Sequence, residues 1–393
     1  MEEIHSIYLH IPFCQKRCSY CDFNTFSGLD HLIPSYTQQL KKEIEHYGHA
    51  YSEQIKIKTI FFGGGTPSLL SIDQFSVIFE EIYKSFDILS ECEISLEANP
   101  GTVSLEYLKN LKNIGFNRIS FGLQTSNPFQ LQLLGRIHNH YDSINAIAWA
   151  KLAGFNNTNL DLIYGLPGQS LDDWKKNLED GLSLGTQHFS LYALGIEENT
   201  PLFDWVGKGL VEDPDPDLAA EMYELADEVL TKNGFGCYEI SNYCKVSDNE
   251  DWRCQHNLQY WRNNYYLGIG AGAHGYIKGI RYENVKGIGE YINSMSKKMK
   301  THDILSPAVK QTTEIDPFTA MQETMMLGLR LVEEGVSIQK FIKKFDRSPL
   351  DVFKQELDYL LKNELIQICD NDKIILTKKT RLVGNIVFQQ FVN

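Results

Sequence analysis

Between Ser6 and Lys232 a short apolar run gives way six times to a helical pattern. The runs are "SIYLHIPF", "IKTIFFGGG", "CEISLEANP", "NRISFGLQT", "TNLDLIYGLP" and "HFSLYALG". The helical stretches fall at 35–49, 72–83, 104–113, 141–153, 170–184 and 217–232. Serial β-α alternation forces parallel strands with right-handed crossovers, since each helix carries the chain back across the sheet. Both an open doubly wound sheet and a barrel-like closure satisfy this. The placement of the polar and glycine signals favours an α/β partial (β/α)6 barrel. Three cysteines, "GGGTP", Glu97, Gln124 and "YGLP" all stand at strand ends, where parallel barrels gather their chemistry. No fixed-period repeat is evident beyond the alternation.

A chain of 393 residues suits one large domain and a smaller one. The barrel is expected over 1–235. An extension of strands and loops, rich in glycine and aromatics, is expected over 236–300, and "KKMKTHDILSP" reads as a polar linker. Helices and then "LIQICDNDKIILT", a hairpin pattern, predict a small helical, winged-helix-like domain over 310–393. The formal charge is -14 with no Lys/Arg run, which argues against a nucleic-acid partner. No apolar run is long enough for a bilayer, and acids rather than bases precede "IYLHIPF". A cytoplasmic protein is expected. Eight cysteines in a long chain of this type point to metal rather than disulfides.

Cys14, Cys18 and Cys21 form C-x3-C-x2-C in "CQKRCSYCDFN". Three thiolates are one short of a closed tetrahedral or cubane site. A cubane on three cysteines keeps one iron open to a small molecule; a zinc knuckle completed by a distant residue is the rival. With Tyr20 before the last cysteine, the loop resembles the radical S-adenosylmethionine (SAM) superfamily. The resemblance implies a [4Fe–4S] cluster on Cys14, Cys18 and Cys21, with the SAM amine and carboxylate on the fourth iron. Glycines in "FFGGGTPS" let a ligand approach the backbone closely, and no Gly-Lys-Ser/Thr follows as in a phosphate loop. The resemblance implies that Gly64, Gly65 and Thr66 meet the methionyl amine. It assigns Glu97 to the ribose hydroxyls or the amine, and Tyr8, Gln124, Arg136 and Asp161 to the same SAM pocket.

The likeness narrows to the HemN/HemW family. Its oxidase branch has another cysteine two residues after the third cluster cysteine, and an extension before the loop. Here Cys21-Asp22-Phe23 stands instead, and only thirteen residues precede Cys14. "CQHNLQYWRNN" contains H-N-x-x-Y-W, which resembles the chaperone branch's heme-binding motif. The resemblance implies His256 as heme ligand, with Cys254 and His274 as weaker candidates. Tyr260 and Trp261 offer flat surfaces, and Arg253 and Arg262 suit propionates. A second metal site from Cys237, Cys244, Cys254 and His256 has spacings that fit no common zinc pattern. The expectation is a heme chaperone using a cluster, SAM and heme, delivering heme to acceptor hemoproteins, respiratory and including membrane-associated ones. No catalytic residue is assigned. The alternative is an oxygen-independent coproporphyrinogen III dehydrogenase, a radical oxidative decarboxylase.

Overall fold

The computed structural model describes residues 3–51, 55–297 and 304–392. Its contacts divide the chain into two units, Met1–Met222 with Tyr265–Thr313, and Tyr223–Asn264 with Glu314–Asn393. The segment 236–300 is therefore shared between the units.

The six β-α repeats make up the first unit as far as Met222, and the last helix passes into the second unit at Tyr223. The strands are β1 (Glu3–Ile11), β2 (Ile55–Gly64), β3 (Asp87–Ala98), β4 (Arg118–Gln124), β5 (Asn157–Tyr164) and β6 (His188–Ala193). The helices are α1 (Ile33–Tyr51), α2 (Ile72–Ser85), α3 (Leu105–Ile114), α4 (His140–Leu152), α5 (Leu171–Ser183) and α6 (Pro216–Lys232). Neighbouring strands pair in parallel, in chain order from β1 to β6. Four further strands extend the sheet on the other side of β1: β7 (Tyr266–Ile269), β8 (His274–Ile277), β9 (Ile280–Asn284) and, outermost, β10 (Val309–Glu314). β7 runs parallel to β1, while β8 and β9 turn back as antiparallel strands.

Local chemistry sets the element boundaries. Ser71 with Gln74, Asn139 with Asp142, and Ser170 with Asp173 form capping boxes at the starts of α2, α4 and α5, satisfying backbone donors the first turn cannot use. Between sheet and helices, Phe62, Phe75, Phe79 and Phe116 pack with ring centroids 5.1–5.7 Å apart. Each such ring contributes roughly 1.5–3 kcal/mol by burial. Glu43 is fully buried on α1. It accepts hydrogen bonds from Gly270 N (2.9 Å), Asn284 Nδ2 (2.9 Å), Tyr291 Oη (2.6 Å) and Ser306 Oγ (2.6 Å). This network fastens α1 to the strand extension. Of the expected linker, 298–303 lies outside the described residues, whereas Ser306 is buried against Glu43.

The second unit has an antiparallel hairpin, Phe235–Glu239 with Asn242–Lys245. It also has a three-stranded sheet in the order Val336–Ser337, Lys373–Leu376, Ile366–Cys369. Asp370 and Asn371 take left-handed backbone in the hairpin turn, a conformation these two residue types tolerate. The core gathers Met325, Leu329, Phe341, Phe353, Leu360 and Phe391. The H-N-x-x-Y-W segment departs from the expected strand-and-loop character: Gln255–Trp261 is a helix, α7. Leu258 and Trp261 stand at i and i+3 on one helix face and pack with Tyr238, Cys244 and Leu331.

Candidate functional site

The strand ends of the first unit enclose a cavity of about 380 Å³. Cys14, Cys18, Tyr20, Cys21, Gly64, Gly65, Thr66, Glu97, Gln124, Arg136 and Asp161 all line it. Two residues of the expected set lie elsewhere. Tyr8 does not line the cavity but sits near Glu97, stacked on Phe61, with its hydroxyl 3.0 Å from His10 Nδ1. His256 belongs to the second unit.

The cysteine loop is pinned along its whole length. Ser19 N donates to Leu134 O (3.1 Å) and Ser19 Oγ to Leu133 O (2.6 Å). Arg17 Nη2 reaches Cys21 O at 3.0 Å. Asn24 Nδ2 donates to both Ala271 O and Lys286 O at 3.0 Å, and its own carbonyl meets His10 Nε2 at 2.8 Å. Each thiol has a polar neighbour: Thr66 Oγ1 at 3.6 Å from Cys14, Arg136 Nη1 at 3.4 Å from Cys18, and Thr25 Oγ1 at 3.8 Å from Cys21. Burial raises the Cys14 and Cys21 thiols above their ordinary range. Ligation by a cation would reverse that preference for the protonated form.

The glycine turn presses against this loop. Gly64 has φ +112, and a Cβ there would lie 2.5 Å from the His10 ring. A Cβ on Gly65 would stand 2.6 Å from Phe13 O, so neither position admits a side chain. Gly64 N donates to Glu97 Oε2 at 3.1 Å. Gln124 has φ +67, a conformation that strains a non-glycine residue by about 1 kcal/mol or more and clusters at ligand sites.

The cavity carries ionisable groups of both signs, and Arg136 lies near enough to Asp161 to feel its charge. Burial, then the charge of Asp161, pushes the Glu97 carboxyl up to about 7. Asp161 is also raised by burial, against hydrogen bonds from Ser120 Oγ (3.0 Å) and Asn159 Nδ2 (2.8 Å). Two carboxyls reluctant to ionise alone make a receptor for a cation. Arg136 donates to Gly122 O at 2.8 Å, but its Nε is buried without an acceptor. This guanidinium suits an anion.

These residues fit the zwitterionic end and sulfonium of SAM and an iron–sulfur cluster. Among the described residues no three His, Cys, Asp or Glu side chains converge as one metal ion requires. Cys14, Cys18 and Cys21 line one cavity, as a cluster held by three thiolates would need. Among the described residues Cys237, Cys244, Cys254 and His256 form no such group.

His256 is buried, with Nε2 2.9 Å from Tyr260 Oη and the two rings edge to face. Arg253 pairs with Asp251, and Arg262 holds both oxygens of Glu334 at 3.1 Å. Cys254 is fully buried, and its N–H donates to Tyr238 Oη. His274 is exposed on β8.

Sequence reasoning missed His10, Asn24, Ser120 and Asn159. His10 lies two residues from Tyr8 on the same strand face, a signal available in the sequence. Asn24 carried none, because its partners are 247 and 262 residues away.

The Radical SAM superfamily model matches residues 8–181, and the HemN C-terminal domain model matches 315–383. The chain is 37% identical to the heme chaperone HemW of Bacillus subtilis, over 98% of this chain and 99% of the relative. It is 35% identical to that of Lactococcus lactis, over 100% and 98%. In fold it is similar to coproporphyrinogen III oxidase (HemN) from Escherichia coli, with TM-score 0.82, 22% identity, and coverage of 99% of this chain and 90% of that one. Among the described residues no helix is long and apolar enough to cross a membrane.

Proposed function

The chain belongs to the HemW family of the radical SAM superfamily, and on that premise we propose that it is a heme chaperone, binding heme and handing it to acceptor hemoproteins. Membership implies SAM and a [4Fe–4S] cluster. Cys14, Cys18 and Cys21 would hold the cluster, which supplies an electron and a Lewis-acidic iron when bound. Glu97 and Asp161 would face the cationic groups of SAM, Arg136 its carboxylate, and Gly64 and Gly65 would leave room for it. Thr66, Thr25 and Arg136 would donate to the thiolates and so hold the cluster in register with the glycine turn.

Heme is the cargo in this reading. His256 is proposed as its axial ligand, with Nε2 exchanging the Tyr260 hydroxyl for iron. The observation that favours a chaperone over a dehydrogenase is Phe23. It stands where the oxidase branch has a cysteine, lies 64% exposed, and lines the cluster cavity. A phenyl ring can neither bind a metal nor move a proton.

The test is heme titration of anaerobically reconstituted protein, followed by Soret absorbance. Wild type is expected to bind heme and release it to an apo-hemoprotein, and His256→Ala to bind at least tenfold more weakly. Conversion of coproporphyrinogen III to protoporphyrinogen IX would overturn the chaperone reading in favour of the dehydrogenase.

A further inference from the structure

Three neighbouring strands of the first unit carry polar side chains on one buried face. Ser120 on β4 is in register with Asn159 on β5, and Asn159 with His188 on β6. Asp161 stands two residues beyond Asn159, on the same face, in register with Ser190. Parallel barrels fill such layers mainly with branched apolar side chains. Here Ser120, Asn159, His188 and Ser190 are all buried. Ser120 and Asp161 reach the cavity, whereas Asn159, His188 and Ser190 do not line it. Buried polar groups cost stability unless each finds a partner, and these are joined in one chain. His188 Nδ1 lies 2.5 Å from Asn159 Oδ1, which Ser190 Oγ also meets at 3.3 Å. Asn159 Nδ2 donates to Ser120 Oγ at 2.7 Å and to Asp161 Oδ1 at 2.8 Å. Ser120 Oγ donates in turn to Asp161 Oδ2 at 3.0 Å.

Chemistry fixes the direction of the chain. An amide oxygen only accepts, so His188 Nδ1 carries the proton of a neutral imidazole. Burial and then the charge of Arg118 hold His188 neutral. Turning the Asn159 amide over would set its oxygen against the Asp161 carboxylate. We propose that His188 is a positioning residue: by locking the Asn159 amide it aims one donor at each oxygen of Asp161, and so presents that carboxylate to a cationic group of SAM. The proposal rests on the reading of Asp161 as part of the SAM site and adds what holds it in place.

The experiment measures SAM binding to the cluster-loaded full chain by equilibrium dialysis, with a melting midpoint for each variant. His188→Leu lets the Asn159 amide turn and is expected to weaken SAM by about tenfold, the effect of losing one hydrogen bond to a charged group. His188→Asn places an amide nitrogen near the position of Nδ1 and is expected to restore most of the affinity. If His188→Leu lowers the midpoint, Ser120→Ala carries the same test: it removes the donor to Oδ2 and is expected to weaken SAM by about fivefold. Asp161→Asn is the reference and is expected to bind SAM weakly. Wild-type affinity in His188→Leu or Ser120→Ala, or a His188→Asn variant as weak as His188→Leu, would overturn the proposal while a weak Asp161→Asn leaves the SAM reading standing. Wild-type affinity in Asp161→Asn would overturn both.

Discussion

Replacing Glu97 by Gln should strengthen the ligand-free protein while weakening the site. The Glu97 carboxyl is pushed up to about 7 from an ordinary 4.5, first by burial and then by Asp161, with Gly64 N–H opposing. A group whose folded pKa is raised keeps its proton where the unfolded chain has lost it. Its effect on stability is therefore nil below 4.5, grows unfavourable as pH rises, and is complete above 7. The gap of 2.5 pH units (7 less 4.5), at about 1.36 kcal/mol each, gives a ceiling of about 3 kcal/mol. Water entering the open cavity halves this to about 1–2 kcal/mol. Glu97→Gln has no such penalty. In urea unfolding of cluster-free protein it should exceed wild type by that amount at pH 8, and by little more than half as much at pH 6. In cluster-loaded protein the same change should weaken SAM binding by about tenfold and flatten its decline below pH 7, measured by equilibrium dialysis. A variant no more stable than wild type at pH 8, or an advantage that does not change with pH, would refute the reasoning.

Gly64→Ala combines φ +112 with a Cβ 2.5 Å from the His10 ring, so a loss of about 1–3 kcal/mol in thermal unfolding is expected. Arg136→Met removes the donor 3.4 Å from Cys18. It should lower the cluster's reduction potential in a potentiometric EPR titration, because the oxidised, less negative cluster loses less. Glu43→Leu strands in the interior the Gly270 N–H and the Tyr291 and Ser306 hydroxyls that Glu43 accepts from, which should cost about 2–4 kcal/mol in chemical denaturation. Phe23→Ala, at an exposed side chain, should change stability by less than about 0.5 kcal/mol.

The barrel was legible because its evidence is local. Each apolar run is a buried parallel strand, and each helical stripe must cover it. The residues lining the first unit's cavity were legible for a related reason: in a parallel barrel the residues after each strand share one rim. Cys14, Gly64, Glu97, Gln124 and Asp161 thus meet at one cavity though separated by up to 147 residues (161 less 14). α7 was harder to read. It is only seven residues long, with Leu258 and Trp261 as its packed face, and Tyr260 and Trp261 favour strands as individual residues.

The sequence by itself determined the order of the parallel strands, the three thiols of the loop and the polar residues at the strand ends. These follow from periodicity and from chain order within one sheet. Only the tertiary structure decided what those groups experience. Burial beside Asp161 raises Glu97, and the Arg136 guanidinium reaches Cys18. Tyr260 meets the His256 ring, and His188 reaches the Asn159 amide that holds Asp161. Desolvation and charge proximity depend on distances between residues far apart in the chain, which no local pattern encodes.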